Sequence, residues 1–141
     1  MSDVSSAPPN LSSTYLRIRG ADAGIEPLPT GSDFWPRLMS GALGTFHNEF
    51  LVTTLSYDKP WPSWERHPNG DELVLLLEGR ATFVLESDGG ERTVELAESG
   101  DYVLVPRGTW HTSRGRTACR LLFVTAGEGT EIRPTAAPEP R

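Results

Sequence analysis

Apolar positions in this chain come in short runs separated by turn-forming residues, and no long stretch keeps a helical period. Tyr15 to Ile18 reads as a short strand, and Phe50 to Tyr57 alternates well enough for another. Leu73 to Leu77 is a continuous apolar run and reads as another strand. Arg80 to Glu86 and Glu91 to Leu96 form a pair joined by the Asp88-Gly89-Gly90 turn. Tyr102 to Val105 and Ala118 to Ala126 add two more strands. One helical turn is expected through Phe34, Trp35 and Leu38, capped by Asp33, with Pro36 tolerated because it falls in that first turn. Close strands and frequent turns predict an all-β sandwich or barrel.

Composition narrows this. The chain has 141 residues, which suits one domain, and its hydrophobic fraction of 37% supports one modest core that a partner chain would help to cover. Fourteen glycines and twelve prolines agree with many turns. Residues 1–13 and 131–141 have the Ser, Pro, Ala and charge content of flexible tails, leaving 14–130 as the domain. A net charge of −6 argues against nucleic acid or an anionic membrane as the main partner. The arginines at 107, 114, 116 and 120 read as a solvated face. The single Cys119 cannot form an internal disulfide and sits beside an apolar run, which suggests a small buried side chain and a reducing, cytoplasmic setting. The polar, proline-rich start lacks an apolar stretch behind a basic one, and nothing reaches the length of a membrane span.

The segment Trp64-Glu65-Arg66-His67-Pro68-Asn69-Gly70-Asp71-Glu72 carries the first chemical signal. Asn-Gly is a strong hairpin signal because a type I′ turn needs positive φ at both central residues. A two-residue loop there sets His67 directly opposite Glu72, and strand alternation puts Glu65 on the same face. Three such groups turned inward are costly unless something neutralises them, and a divalent cation would. Imidazole with carboxylate suits iron, manganese, nickel or zinc. The same groups also fit a solvent face where they only hydrogen-bond one another.

A second segment, Gly100-Asp101-Tyr102-Val103-Leu104-Val105-Pro106-Arg107-Gly108-Thr109-Trp110-His111, is a strand closed by a Pro-Arg-Gly turn that delivers one histidine. Together the two segments resemble the paired motifs of the cupins, G(X)5HXH(X)3-4E(X)6G and G(X)5PXG(X)2H(X)3N. Gly100, Pro106, Gly108 and His111 match the second, while His67, Glu72 and Gly79 match the first. The resemblance spans residues 64–115 in the motifs and about 45–126 in the strand pattern. It departs where Glu65 stands for the first histidine and Gly115 for the final asparagine.

The resemblance implies a single double-stranded β-helix (jelly-roll) barrel with flexible termini, holding a divalent metal ion on His67, Glu72 and His111. Glu65 is a candidate fourth ligand or a partner to bound water. It implies a metal-dependent enzyme of dioxygenase, isomerase or lyase type on a small organic molecule. The alternatives are a non-catalytic small-molecule-binding or sensor cupin, or a barrel stripped of its metal. Val74 and Leu76 share the Glu72 face and should line an apolar pocket. His47 and Tyr57 are minor candidates for an acid-base group and a substrate-facing hydroxyl. Trp64 and Trp110 fall on the face opposite the ligands, and with Trp61 flank the motifs. Outward tryptophans leave apolar surface to cover, so a homodimer is expected, with N-terminal strands at its interface.

Overall fold

A computed structural model describes residues 7–135. Eleven strands and one short helix follow in chain order: β1 Thr14–Ile18, β2 Ile25–Pro29, α1 Phe34–Met39, β3 Phe50–Tyr57, β4 Ser63–Arg66, β5 Glu72–Gly79, β6 Ala81–Ser87, β7 Gly90–Leu96, β8 Tyr102–Val105, β9 His111–Ser113, β10 Cys119–Thr125 and β11 Glu131–Pro134. They make two antiparallel sheets. One has the order β2-β1-β3-β10-β5-β8, and the other β11-β4-β9-β6-β7.

The main core lies between them. Val74 and Leu76 of β5, Val103 and Val105 of β8, and Leu121 and Phe123 of β10 meet Phe83 and Leu85 of β6 and Leu96 of β7. Alternation along each strand selects these positions, since every second side chain points to the same face. Cys119 is a free thiol buried in the same cluster, as its apolar neighbours foretold. A satellite cluster of Tyr15, Leu28, Phe34, Phe46 and Leu51 seats the N-terminal hairpin and α1 beside the first sheet. Tyr15 and Phe34 meet edge to face at 4.9 Å.

Three expectations change. The Asp33 side chain makes no capping hydrogen bond, so α1 is held by the burial of Phe34. Residues 131–134, expected as tail, are β11, which pairs with β4 in the register Glu131↔Arg66 to Pro134↔Ser63. Likewise residues 10–13 turn back on themselves, with the Ser13 and Thr14 N–H groups both donating to the Asn10 carbonyl. The rest of both expected tails lies outside the described residues.

The largest change concerns the hairpin. Neither Asn69 nor Gly70 has positive φ, and β4 and β5 belong to different sheets. The connection is therefore a crossover between sheets, not a type I′ hairpin. Gly70 is required for another reason. A Cβ there would stand 2.4 Å from the Ala126 Cβ, where the end of β10 crosses the connection.

Candidate metal centre

Three strand ends deliver the four candidate side chains. Glu65 lies on β4 and pairs with His111, the first residue of β9. His67 follows the end of β4, and Glu72 opens β5 on the facing sheet. The turns of the two motifs are tied together: the Gly108 N–H donates to the His67 carbonyl at 3.0 Å, and the Arg107 N–H to Asp71 Oδ1 at 2.9 Å. Gly108 takes φ 76°, a left-handed conformation that glycine adopts without cost, and so turns the chain towards His111.

His67 and Glu72 do converge, but across the space between sheets and not across a ladder. Glu72 Oε1 stands 2.9 Å from His111 Nε2 and 3.5 Å from His67 Nε2. One donor atom each from Glu65, His67 and His111 also lie within 4.8 Å of one another. Both histidines and Glu72 are almost fully buried. Yet His67 Nε2, His111 Nε2 and Glu72 Oε1 are buried atoms with no hydrogen-bond partner.

The far side of each group is fixed by a polar partner. Thr130 Oγ1 donates to the Gly127 carbonyl at 3.0 Å, so its contact with His67 Nδ1 at 2.8 Å requires the imidazole to donate. His111 Nδ1 stands 3.1 Å from the Thr109 carbonyl, which can only accept. Each neutral imidazole thus carries its proton on Nδ1 and turns the Nε2 lone pair to the centre. Thr125 Oγ1 donates to Glu72 Oε2 at 2.6 Å and leaves Oε1 facing the histidines. Thr125 is paired with Glu72 across the ladder, and the β4–β11 register brings Thr130 beside His67. Thr125 and Thr130 carry no local sequence signal, because both are remote in the chain from the groups they hold. For Thr130 the misread strand β11 hid the relation.

Electrostatics follow the same arrangement. Burial pushes the Glu72 carboxyl up, but the two imidazoles facing it outweigh that and hold it down at about 2. Burial disfavours the His111 imidazolium, while Glu72 more than compensates and raises its pKa. The Glu65 carboxyl is pushed up by burial and then by the neighbouring Glu72 charge.

A cavity of about 750 Å³ opens onto this centre. Glu65, His67 and Glu72 form its polar wall, Leu51, Leu55, Trp61 and Phe123 its apolar depth, and α1 stands at its mouth. Val74 and Leu76 are fully buried in the core beneath Glu72 and do not line it. The Tyr57 hydroxyl is taken up by Ser113 Oγ at 3.0 Å, and burial raises its pKa. His47 is exposed and pairs with Glu128 at 3.0 Å. Trp61 packs on Phe83 and stands 6.2 Å from the His111 ring. Trp64 and Trp110 do face away from the centre, but they are roofed: Arg133 lies over both rings at 5.2 and 4.5 Å. They leave no open apolar patch, and that ground for expecting a dimer falls.

Comparison with known proteins identifies the family. A family model described as a cupin domain matches residues 53–125. A curated relative, the uncharacterised Bacillus subtilis protein YdbB, is 33% identical over 63 residues, which cover 45% of this chain and 48% of the relative. The chain thus matches about half the length of that relative. A cupin-2 domain protein from Shewanella frigidimarina is similar at 16% identity and TM-score 0.46, over 53% of this chain and 68% of the other. Oxalate decarboxylase from Bacillus subtilis is similar at 17% identity and TM-score 0.49, over 61% and 24%. Because the family match takes in β3 to β10 and both motif turns, the chain belongs to the cupin domain family.

Proposed function

We propose that the chain binds one divalent metal ion through His67, Glu72 and His111, with Glu65 beside it, and acts on a small organic molecule held in the cavity. The observation that carries this is the trio of buried, unpartnered atoms, His67 Nε2, His111 Nε2 and Glu72 Oε1. With both imidazoles neutral, two Nε2 lone pairs and a carboxylate oxygen face one another with no proton between them, and one shared cation satisfies all three. Their separations of 2.9 and 3.5 Å lie near the ~3.0 Å expected of two ligands about 2.1 Å from one ion at right angles. Imidazole nitrogen with carboxylate oxygen suits iron, manganese, nickel or zinc. We read the two sheets as the walls of the cupin barrel.

A metal bound here supplies Lewis-acid polarisation of an oxygen that reaches it from the cavity. The protein's own groups do the rest. Thr130 and the Thr109 carbonyl keep both imidazoles in the ligating tautomer. The apolar lining keeps water from the bound molecule, and Glu65, whose carboxyl burial and the Glu72 charge push up, faces the cavity where it can take or give a proton. That last property favours an enzyme over a passive binding module.

Adding iron, manganese, nickel or zinc to chelator-treated protein should raise its melting temperature, because the ion joins the two sheets. His67→Ala and His111→Ala should abolish the rise. An unchanged rise in either variant contradicts the ligand assignment. We place the protein in a reducing, cytoplasmic compartment on its lone buried thiol. We also retain the homodimer, now on the outer face of β5 and β8, where exposed Tyr102 and Leu104 stand in register with Leu75 and Leu73.

A further inference from the structure

We propose that the cavity selects an uncharged, largely apolar molecule bearing a hydroxyl or carbonyl, and discriminates against small carboxylate anions. The inference rests on the metal reading above and adds the substrate class. Among the described residues that line the cavity, none is arginine or lysine. Its charged side chains are Glu65, Glu72 and Glu128, all carboxylates.

Two arginines next to lining residues on their strands are turned away. Arg66 and Arg133, which flank Glu65 and Ile132 along their strands, project to the other face of the sheet and stack over Trp110 at 4.8 and 4.5 Å. There they pair with Glu131 and Glu86. Arg17, outside the lining, meets the Leu43 carbonyl, Glu49 and the Phe46 ring. None of these three guanidinium groups is among the residues that line the cavity.

The charge balance at the centre points the same way. Glu65 and Glu72 both face the cavity beside the two histidines, so an incoming carboxylate must lose its water next to two carboxyl groups, with no arginine or lysine in the lining to offset them. The apolar lining of Leu51, Leu55, Trp61 and Phe123 offers only neutral groups, such as the Trp61 N–H and the neighbouring Thr53 hydroxyl, and packs well against an uncharged ring or branched chain.

Isothermal titration calorimetry on metal-loaded protein, with metal content measured on the same sample, tests this with three probes. They are phenacyl alcohol, an uncharged hydroxy-ketone; benzoylformate, a carboxylate of nearly the same size; and oxalate. The proposal expects phenacyl alcohol to bind at least roughly tenfold tighter than benzoylformate, with oxalate unable to displace it. Met39→Arg, at an exposed position on the cavity mouth, should narrow that ratio without changing metal content. Equal or tighter binding of either anion, or no binding of the ketone at millimolar concentration, overturns the proposal. A sample that comes out free of metal overturns the metal assignment instead, and the ranking of the three probes on it still tests the cavity's preference.

Discussion

Gly70 offers a sharp test of how the chain reaches its metal centre. It is buried, lies between His67 and Glu72, and a Cβ placed on it would sit 2.4 Å from the Ala126 Cβ. Ordinary contact begins at 3.4 Å, so Gly70→Ala is short by 3.4 − 2.4 = 1.0 Å at the least. The neighbour is the root of a short side chain on the end of β10 and cannot swing aside. Overpacking of this kind costs about 1–3 kcal/mol, which for a domain of this size lowers the melting temperature by roughly 3–15 °C. Ala126→Gly opens the space, and alone it should cost about 1.5 kcal/mol from one lost methyl group and added backbone freedom. In the double variant the clash disappears, so the two changes should be non-additive by about 1–2 kcal/mol. Thermal or urea melts of the four proteins give that coupling directly. Gly70→Asn separates this account from a type I′ turn, where asparagine is well tolerated. Here asparagine carries the same Cβ and should be no better than alanine. Additive melts, or an asparagine variant as stable as the parent, would refute the close-approach argument.

Thr130→Val keeps shape but takes away the acceptor for His67 Nδ1 and the donor to the Gly127 carbonyl, so metal affinity should fall roughly 10–100-fold in a competitive chelator titration. An unchanged affinity contradicts the tautomer argument. The pH dependence has a definite sign. In the metal-free protein the raised pKa of His111 adds stability below its unfolded value near 6.5, and that stability is lost as pH rises through the folded value. Metal binding requires the proton to leave, so the metal-induced rise in melting temperature should grow from about pH 5.5 to about pH 8. A flat or falling increment counts against it. Glu65→Gln keeps the shape of a cavity-facing side chain and removes its charge. Metal occupancy should drop if Glu65 is a ligand, and hold, with the pH dependence of catalysis altered, if it carries a proton.

Much of the fold can be read from the residues. β3 and β8 fall where alternation puts them, and β5, β6, β7 and β10 lie within two residues of the expected bounds, because each buries one face in the core. β2 escaped notice because its two prolines suppress strand propensity, and it survives as an edge strand where a missing N–H matters little. β9 has only three residues, and β11 looks like tail because most of its side chains are exposed and two of the four are charged. The convergence of His67 and Glu72 was legible, but its cause was not. Local turn rules favour a hairpin at Asn69-Gly70, whereas burial of β4 and β5 in separate sheets overrides them. Thr125 and Thr130 owe their roles to pairings 53 and 63 residues away in the chain, which no short window contains.

The central claim is that three buried donor atoms share one ion. Elemental analysis of protein purified without a metal-affinity tag tests it most directly, with His111→Ala prepared alongside. The account predicts about one equivalent of iron, manganese, nickel or zinc per chain, reduced to a small fraction in the variant. Protein that emerges free of metal, and whose melting temperature ignores all four ions, would contradict it.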